Sequence, residues 1–260
     1  MQEGDAVTAE VYLQKAVLQS EESSQRTQYF MEWIRVLLEK GDLELASQIL
    51  QQSFEYGVNE EQLSYLRGMV YFEKEDYNSA LQMFQTAQNN TMNAELLTVI
   101  YKQESSIYWI QGNYAESIEL LRKASDFSAN RNLQRELAEA CMDYSICTVD
   151  SRIAREYRHE AINIYENLND SMAPAFLDRM NLAVLYLTDG QYEAAEQLLI
   201  GLAGKYDDYR IDMYMAYIAY HRGDMEEVVS LAERAHGIWV QAGKPADDNM
   251  DQLMLLVENL

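Results

Sequence analysis

The feature that most constrains this chain is a spaced set of small and large apolar residues that recurs along it. The clearest copy lies in residues 64–87 and consists of Leu66, Gly68, Tyr71, Tyr77, Ala80, Phe84 and Ala87. Matching sets lie in residues 27–53, 98–124, 176–202 and 209–235. Apart from one wider gap between the third and fourth copies, neighbouring copies are separated by roughly 34 residues, and a period of this length is typical of chains built from stacked structural repeats.

Each position of the set has a physical reason. Small residues at two positions allow two antiparallel helices to approach closely, and large residues at three others fill the space between neighbouring helix pairs. Glycine ends the first helix because only glycine adopts a left-handed backbone at little cost. Four of the five copies have this turn glycine: Gly41, Gly112, Gly190 and Gly223.

This pattern resembles the tetratricopeptide repeat, whose family places small, aromatic and turn residues at these same relative positions. The resemblance is strong over 27–124 and 176–235 and covers nearly the whole chain. It implies an all-α fold, an α-α superhelix or solenoid of about six helical hairpins with a capping helix at each end. A single repeat cannot bury its apolar faces, so the copies are expected to stack into one domain spanning residues 1–260.

The period also predicts the element boundaries. We expect a cap helix over 6–20, repeats over about 27–60, 61–97, 98–132, 133–170, 175–208 and 209–242, and a final cap helix over 245–260. Because the third and fourth clear copies are separated by about two periods plus some ten residues, a degenerate repeat is expected between them. Its helices should run from Leu133 to about Val149 and from Arg152 to Leu168, with Asp150-Ser151 as the N-cap. Pro245 is expected to open the last helix.

The charge excludes several function classes. The formal net charge is −23, from 43 acidic and 20 basic residues, so the surface repels nucleic-acid phosphates and anionic membranes. No apolar run is long enough to span a bilayer, so no direct membrane insertion is expected. Cys141 and Cys147 are expected to be small buried apolar residues rather than a disulfide. The sequence leaves two locations: the protein is either cytoplasmic or the soluble part of a cell-envelope protein.

The resemblance also implies a binding surface, because first helices of successive tetratricopeptide repeats line a concave groove. Exposed aromatic side chains and methionines there are candidates for partner contacts. The alternative for each is packing against the next repeat. The candidate residues are Arg35, Tyr65, Met69, Phe72, Lys102, Trp109, Tyr217, Tyr220 and His221. A co-chaperone clamp for a terminal carboxylate is not expected, since Lys102 and Ser106 have no matching basic and Asn partners in neighbouring copies.

No pattern typical of catalysis is present. The three histidines, His159, His221 and His236, form no pair at metal-ligand spacing, and no phosphate loop or nucleophile elbow occurs. His159 is expected to be a surface helix residue. We therefore expect no enzyme, no metal and no cofactor.

Two functional interpretations remain. One is a scaffold that binds a protein or peptide segment in the groove. The other is a sensor or regulatory module of a larger, possibly membrane-anchored bacterial protein. The sequence does not identify the partner.

Overall fold

The structure is a computed structural model that describes residues 3–53, 55–58, 60–128, 130–170 and 174–259. These residues form fourteen helices, and no strand is present among them. The chain divides into two compact units, Met1–Ala129 and Asn130–Leu260. Each unit contains three helical hairpins and one additional helix.

The first unit begins with α1, which packs on the first hairpin. Its helices are α1 (Glu3–Gln19), α2 (Ser23–Glu39), α3 (Leu43–Gln51), α4 (Glu60–Glu73), α5 (Tyr77–Asn89), α6 (Ala94–Ile110) and α7 (Tyr114–Phe127). Leu13 and Val17 of α1 pack on the core around Phe30, whereas Val11 and Leu18 are exposed. The face of α1 that packs on the hairpin is therefore narrow.

The second unit ends with α14, which contacts both helices of the last hairpin. Its helices are α8 (Arg131–Cys147), α9 (Ser151–Asn169), α10 (Phe176–Thr188), α11 (Tyr192–Ala203), α12 (Tyr209–Arg222), α13 (Met225–Gln241) and α14 (Asp248–Glu258). The expectation that Pro245 opens the last helix is wrong. Asp247 is the N-cap instead, accepting hydrogen bonds from the amides of Asn249 and Met250.

The small positions of the repeat lie where two helices of a hairpin come closest. In α4, a Cβ placed on Gly68 would be 2.5 Å from the Phe84 ring. In the third hairpin the Oγ atoms of Ser105 and Ser117 are 2.8 Å apart, and both residues are buried. The remaining residues at these positions of the pattern are also buried. They are Ile34, Ala46, Ala80, Ala183, Ala195, Ala216 and Val228.

In five of the six hairpins, the turn between the two helices has a left-handed residue. Gly41, Gly112, Gly190 and Gly223 have φ between 72° and 79°, which confirms the predicted turn glycines. In the second hairpin Glu75 takes this place at a φ of 60°, a conformation that is uncommon for residues with a side chain.

The degenerate repeat forms the hairpin of α8 and α9. No positive-φ residue is found between these helices; Thr148 is extended, and Asp150 accepts hydrogen bonds from the amides of Arg152 and Ile153. The extended link and the side-chain cap together replace the glycine turn of the other hairpins. Cys141 of α8 is buried, but Cys147 at its end is exposed, so the prediction that both cysteines are buried is wrong for Cys147.

Candidate functional site

The second unit contains an open cleft formed by α10, α12 and α14, which we call the C-terminal cleft. Its volume is about 580 Å³. The residues that line it are Val184, Leu187, Thr188, Met213, Tyr214, Ala216, Tyr217, Tyr220, Asn249, Gln252, Leu253 and Leu256. Most are apolar, so the cleft offers a surface for apolar side chains with a few polar groups on the α14 wall.

Two of the predicted contact residues, Tyr217 and Tyr220, lie on the α12 wall of this cleft. They are 48% and 42% exposed, the highest values among its large apolar and aromatic lining residues. Met213 and Leu253 are nearly fully buried. Large aromatic side chains left exposed in a concave surface are characteristic of binding hot spots.

His221 lies beside the cleft at the end of α12. Its ring stacks on Tyr192 with centroids 4.8 Å apart and meets Tyr217 edge-on at 4.6 Å. Tyr220 is also edge-on to it, at 6.0 Å. The imidazole thus packs within an aromatic group that connects α11 to α12 and helps to orient both tyrosines.

The first unit contains a smaller cleft of about 490 Å³, the N-terminal cleft, lined by Met31, Arg35, Tyr65, Glu95, Leu96, Val99 and the loop 90–93. Arg35 is exposed and forms an ion pair with Glu32 at 2.7 Å. Tyr65 is half-buried, packs at 6.0 Å on the ring of Phe84, and burial raises its pKa. Only these two predicted residues line this cleft.

Four further candidates are half-buried in the first unit. Met69 and Phe72 pack on the core around Phe84, and Phe72 also meets Tyr77 edge-on at 6.0 Å. Trp109 meets Tyr114 edge-on at 4.7 Å. Lys102 lies half-buried on α6. Contacts within and between hairpins therefore account for much of the surface of Met69, Phe72 and Trp109.

The helix α14 contributes lining residues that the sequence did not indicate. Asn249, Gln252, Leu253 and Leu256 are spaced so that one face of α14 meets the cleft. The sequence predicted a helix that covers the last repeat, but it did not predict that this helix would form a wall of the cleft. The spacing of these four residues, three or four apart along the helix, is the sequence pattern that could have indicated this wall of the cleft.

A polar surface lies on α8 and α10 in the same unit. Arg135 donates two hydrogen bonds to the fully buried carboxylate of Asp178, and Asn181 donates to the hydroxyl of Tyr165 at 2.9 Å. Glu139 lies near this group. Partial burial raises its pKa, although the charge of Arg135 acts in the opposite direction.

Asp143 lies one turn after Glu139 on α8, and burial raises its pKa as well. Both carboxylates are exposed on one side. No ion pair to either is found among the described residues.

Among the described residues, no group of three or more His, Cys, Asp or Glu side chains could hold a metal ion. His159 is on the surface, as predicted, with Nε2 3.2 Å from a carboxylate oxygen of Asp189. None of the helices in these ranges has the length and apolar character needed to cross a bilayer.

Comparison with known proteins identifies the family. The family model of the coatomer epsilon subunit matches residues 39–231, about three quarters of the chain. The chain belongs to the coatomer epsilon subunit family. The coatomer epsilon subunit match starts at the last residue of α2 and ends within α13. It includes Tyr217 and Tyr220 but not α14, the second wall of the C-terminal cleft.

Solved structures similar to this coatomer epsilon subunit family member are mostly tetratricopeptide repeat proteins. The C-terminal part of a repeat-containing protein from Cytophaga hutchinsonii has a TM-score of 0.66 at 15% identity, covering 96% of this chain and 94% of that one. PilF from Pseudomonas aeruginosa has a TM-score of 0.54 at 16% identity, covering 88% and 96%. These likenesses show the fold, and they confirm the predicted all-α tetratricopeptide class.

One similar chain belongs to a protein complex, Naa15/Naa10 bound to HypK. Its TM-score is 0.59 at 13% identity, and the match covers 90% of this chain and 37% of that one. A search of curated proteins gave no match. Solenoids built from such repeats present extended concave surfaces that can bind other proteins.

Proposed function

We propose that this protein is a non-catalytic scaffold subunit that binds a segment of a partner protein in the C-terminal cleft. The observation that carries the proposal is the pair of half-exposed tyrosines, Tyr217 and Tyr220, on the wall of an apolar cleft between three helices. Exposed aromatic side chains of this kind lose water readily when a partner covers them.

The depth of the cleft supports a peptide segment rather than a flat protein surface. Met213 and Leu253 are buried, whereas Tyr217 and Tyr220 are half-exposed. An inserted apolar side chain would therefore contact the buried pair as well as the tyrosines. The amides of Asn249 and Gln252 on the opposite wall can bond to the backbone of an inserted segment.

The family supports a role within an assembly. The matching model is that of a coatomer subunit, and one structural neighbour is a chain of a complex of several proteins. Both favour a protein partner over a small-molecule substrate. The sensory alternative has no separate support among the described residues.

The test is quantitative affinity capture from the lysate of the native organism, read by mass spectrometry. The double variant Tyr217→Ala/Tyr220→Ala should reduce the main captured protein by at least about tenfold, since central aromatic residues carry about 2 kcal/mol or more of binding energy. The matched control is Tyr12→Ala/Tyr29→Ala, which removes two exposed tyrosines of the first unit.

The control should capture the partner at the wild-type level, and circular dichroism should show that both variants remain folded. Equal capture by the wild type and by the Tyr217→Ala/Tyr220→Ala variant would refute the proposed binding site.

A further inference from the structure

The described lining of the C-terminal cleft carries no charge. Charged residues make up 24% of the chain, and its net charge is −23, yet none of the twelve lining residues is Asp, Glu, Lys or Arg. On α14, the carboxylates of Asp248 and Asp251 do not line the cleft, whereas the amides of their neighbours Asn249 and Gln252 do. A charged side chain that entered the cleft would lose water and meet no countercharge there. This favours an uncharged occupant.

The α14 wall of the cleft has two side-chain amides that make no hydrogen bond within the described part of the chain. Asn249 and Gln252 are both exposed, and the one bond found at Asn249 uses its backbone N–H. A partner that covers this wall removes the water around the two amides. It must then offer both donors and acceptors in place of that water.

The backbone of an extended segment offers these groups, whereas the backbone of a helix does not. A helix bonds its own peptide groups internally, so a helical partner would cover Asn249 and Gln252 and leave them unpaired. An extended segment presents free N–H and C=O groups along its edge. A side-chain amide also has one C=O and an NH₂, so it can bond to both.

The spacing of the two amides fits an extended backbone. Residues three apart on a helix have Cβ atoms about 5–6 Å apart. Peptide groups that face the same edge of an extended segment recur about every 6.6–6.8 Å. The side chain of Gln252 is one methylene longer than that of Asn249 and can span the difference. The two amides can therefore bond to successive peptide groups on one edge.

Resting on the proposed function, we propose that the partner segment is uncharged and extended, and that one edge of its backbone bonds to Asn249 and Gln252. The segment runs along α14 and faces the tyrosines of α12. Side chains of an extended segment alternate between two faces, so every second residue points toward Met213 and Leu253 and is apolar.

A phage library that displays random decapeptides is the probe for this assignment. It is selected on the whole wild-type protein, and phages that also bind the Tyr217→Ala/Tyr220→Ala variant are removed. The enriched peptides should share a core without Asp, Glu, Lys or Arg and with apolar residues two apart. A charged core, apolar residues three and four apart, or no enrichment at all would overturn the inference.

Backbone methylation of the most enriched peptide tests the hydrogen bonds directly. Single N-methyl groups are placed along its core, and binding to the wild type is measured by fluorescence anisotropy. The N–H groups of alternate residues face the same edge of an extended chain. One alternate set of methylated peptides should therefore bind about fivefold or more weakly, and the other set should change by less than about twofold. Equal losses at every core position would contradict an extended backbone.

The site variant is Asn249→Leu/Gln252→Met, which removes both amides and keeps side chains of similar size. It should bind the enriched peptide about fivefold or more weakly. An apolar or helical occupant would instead bind this variant as tightly as the wild type or more tightly. The matched control is Asn78→Leu/Gln82→Met, which changes two exposed amides of α5 and should leave binding unchanged. Circular dichroism checks that both variants are folded.

The outcomes separate this inference from the proposed function. If the Tyr217→Ala/Tyr220→Ala variant loses its captured partner but Asn249→Leu/Gln252→Met binds the enriched peptide like the wild type, the cleft binds the partner and the extended backbone is wrong. If capture by the tyrosine variant stays at the wild-type level, the proposed function fails and this inference fails with it.

Discussion

The guanidinium of Arg135 on α8 donates from Nε and Nη2 to both carboxylate oxygens of Asp178 on α10, with Nη2 at 2.7 Å. This contact joins the first helices of two successive hairpins. The carboxylate is fully buried, whereas the arginine side chain is 28% exposed. The pair therefore lies at the edge of the interface between the two hairpins. Asp178 is enclosed by protein, whereas Arg135 is partly open to water.

Removing the buried partner of this pair should destabilise the protein. We expect Asp178→Ala to lower the free energy of unfolding by about 2–3 kcal/mol, somewhat below the value for fully buried pairs because Arg135 retains access to water. Urea denaturation measures the change. The control Glu119→Ala removes an exposed ion pair with Arg122 at 2.7 Å and should cost less than about 1 kcal/mol. Similar losses in the two variants would contradict the structural role of Asp178.

The close approach of α4 and α5 requires a glycine at position 68. In Gly68→Ala the new methyl group would be 2.5 Å from the Phe84 ring, which is itself fully buried. Overpacking of this kind costs about 1–3 kcal/mol, so the midpoint of thermal unfolding should fall by several degrees.

Gly237→Ala is the matched control for that substitution. Gly237 lies inside α13, and no atom is within 4 Å of a Cβ placed on it. Alanine should raise stability there by about 0.5–1 kcal/mol because it is the better helix former. Calorimetry should thus give shifts of opposite sign, and a tolerated alanine at 68 would show that α4 and α5 are not in close contact.

Glu104 should make stability depend on pH. Burial raises the pKa of this carboxyl to about 7, although the hydrogen bond from Gln88 and the charge of Lys123 lower it. The folded state therefore holds the proton more tightly than the unfolded chain. The contribution of Glu104 to the free energy of unfolding is fully present below about pH 4.5. It is lost as the pH rises to about 7 and does not change above that pH.

Glu104→Gln keeps a neutral side chain of the same shape at every pH. It should raise the free energy of unfolding at pH 8 by about 1–2 kcal/mol and flatten the decline between pH 4.5 and 7. Urea denaturation at several pH values tests this. The control is Glu156→Gln, which changes an exposed residue of α9. It should leave the dependence of the free energy of unfolding on pH unchanged. An unaltered profile in Glu104→Gln would exclude the raised pKa.

The two buried serines of the third hairpin should be energetically coupled. Ser117 donates to the carbonyl oxygen of Ser105 at 2.9 Å, and the two hydroxyl oxygens are 2.8 Å apart. Ser117→Ala should cost about 1 kcal/mol because it removes a buried hydrogen bond. In Ser105→Ala/Ser117→Ala both hydroxyls are gone, so the loss should be smaller than the sum of the two single losses. Strict additivity in a double-mutant cycle would show that the hydroxyls act independently.

The fold follows from local sequence to an unusual extent, because each hairpin repeats the same contacts between residues close in the chain. Gly68, which lies against Phe84, and the turn glycine Gly112 can be recognised from spacing alone, since each serves its own helix pair. The hairpin of α8 and α9 is harder to locate in the sequence because it has no turn glycine. An extended Thr148 and the N-cap Asp150 connect its two helices instead.

The sequence by itself determined the helical hairpins, their order and the surface positions at which a partner could be sought. It could not distinguish Trp109, whose ring packs on Tyr114, from Tyr217, whose ring remains half-exposed. Both are aromatic residues on first helices, and only the neighbours supplied by the tertiary structure separate them. The structure alone also decided that α14 forms a wall of the cleft, because its position depends on packing against α12 and α13.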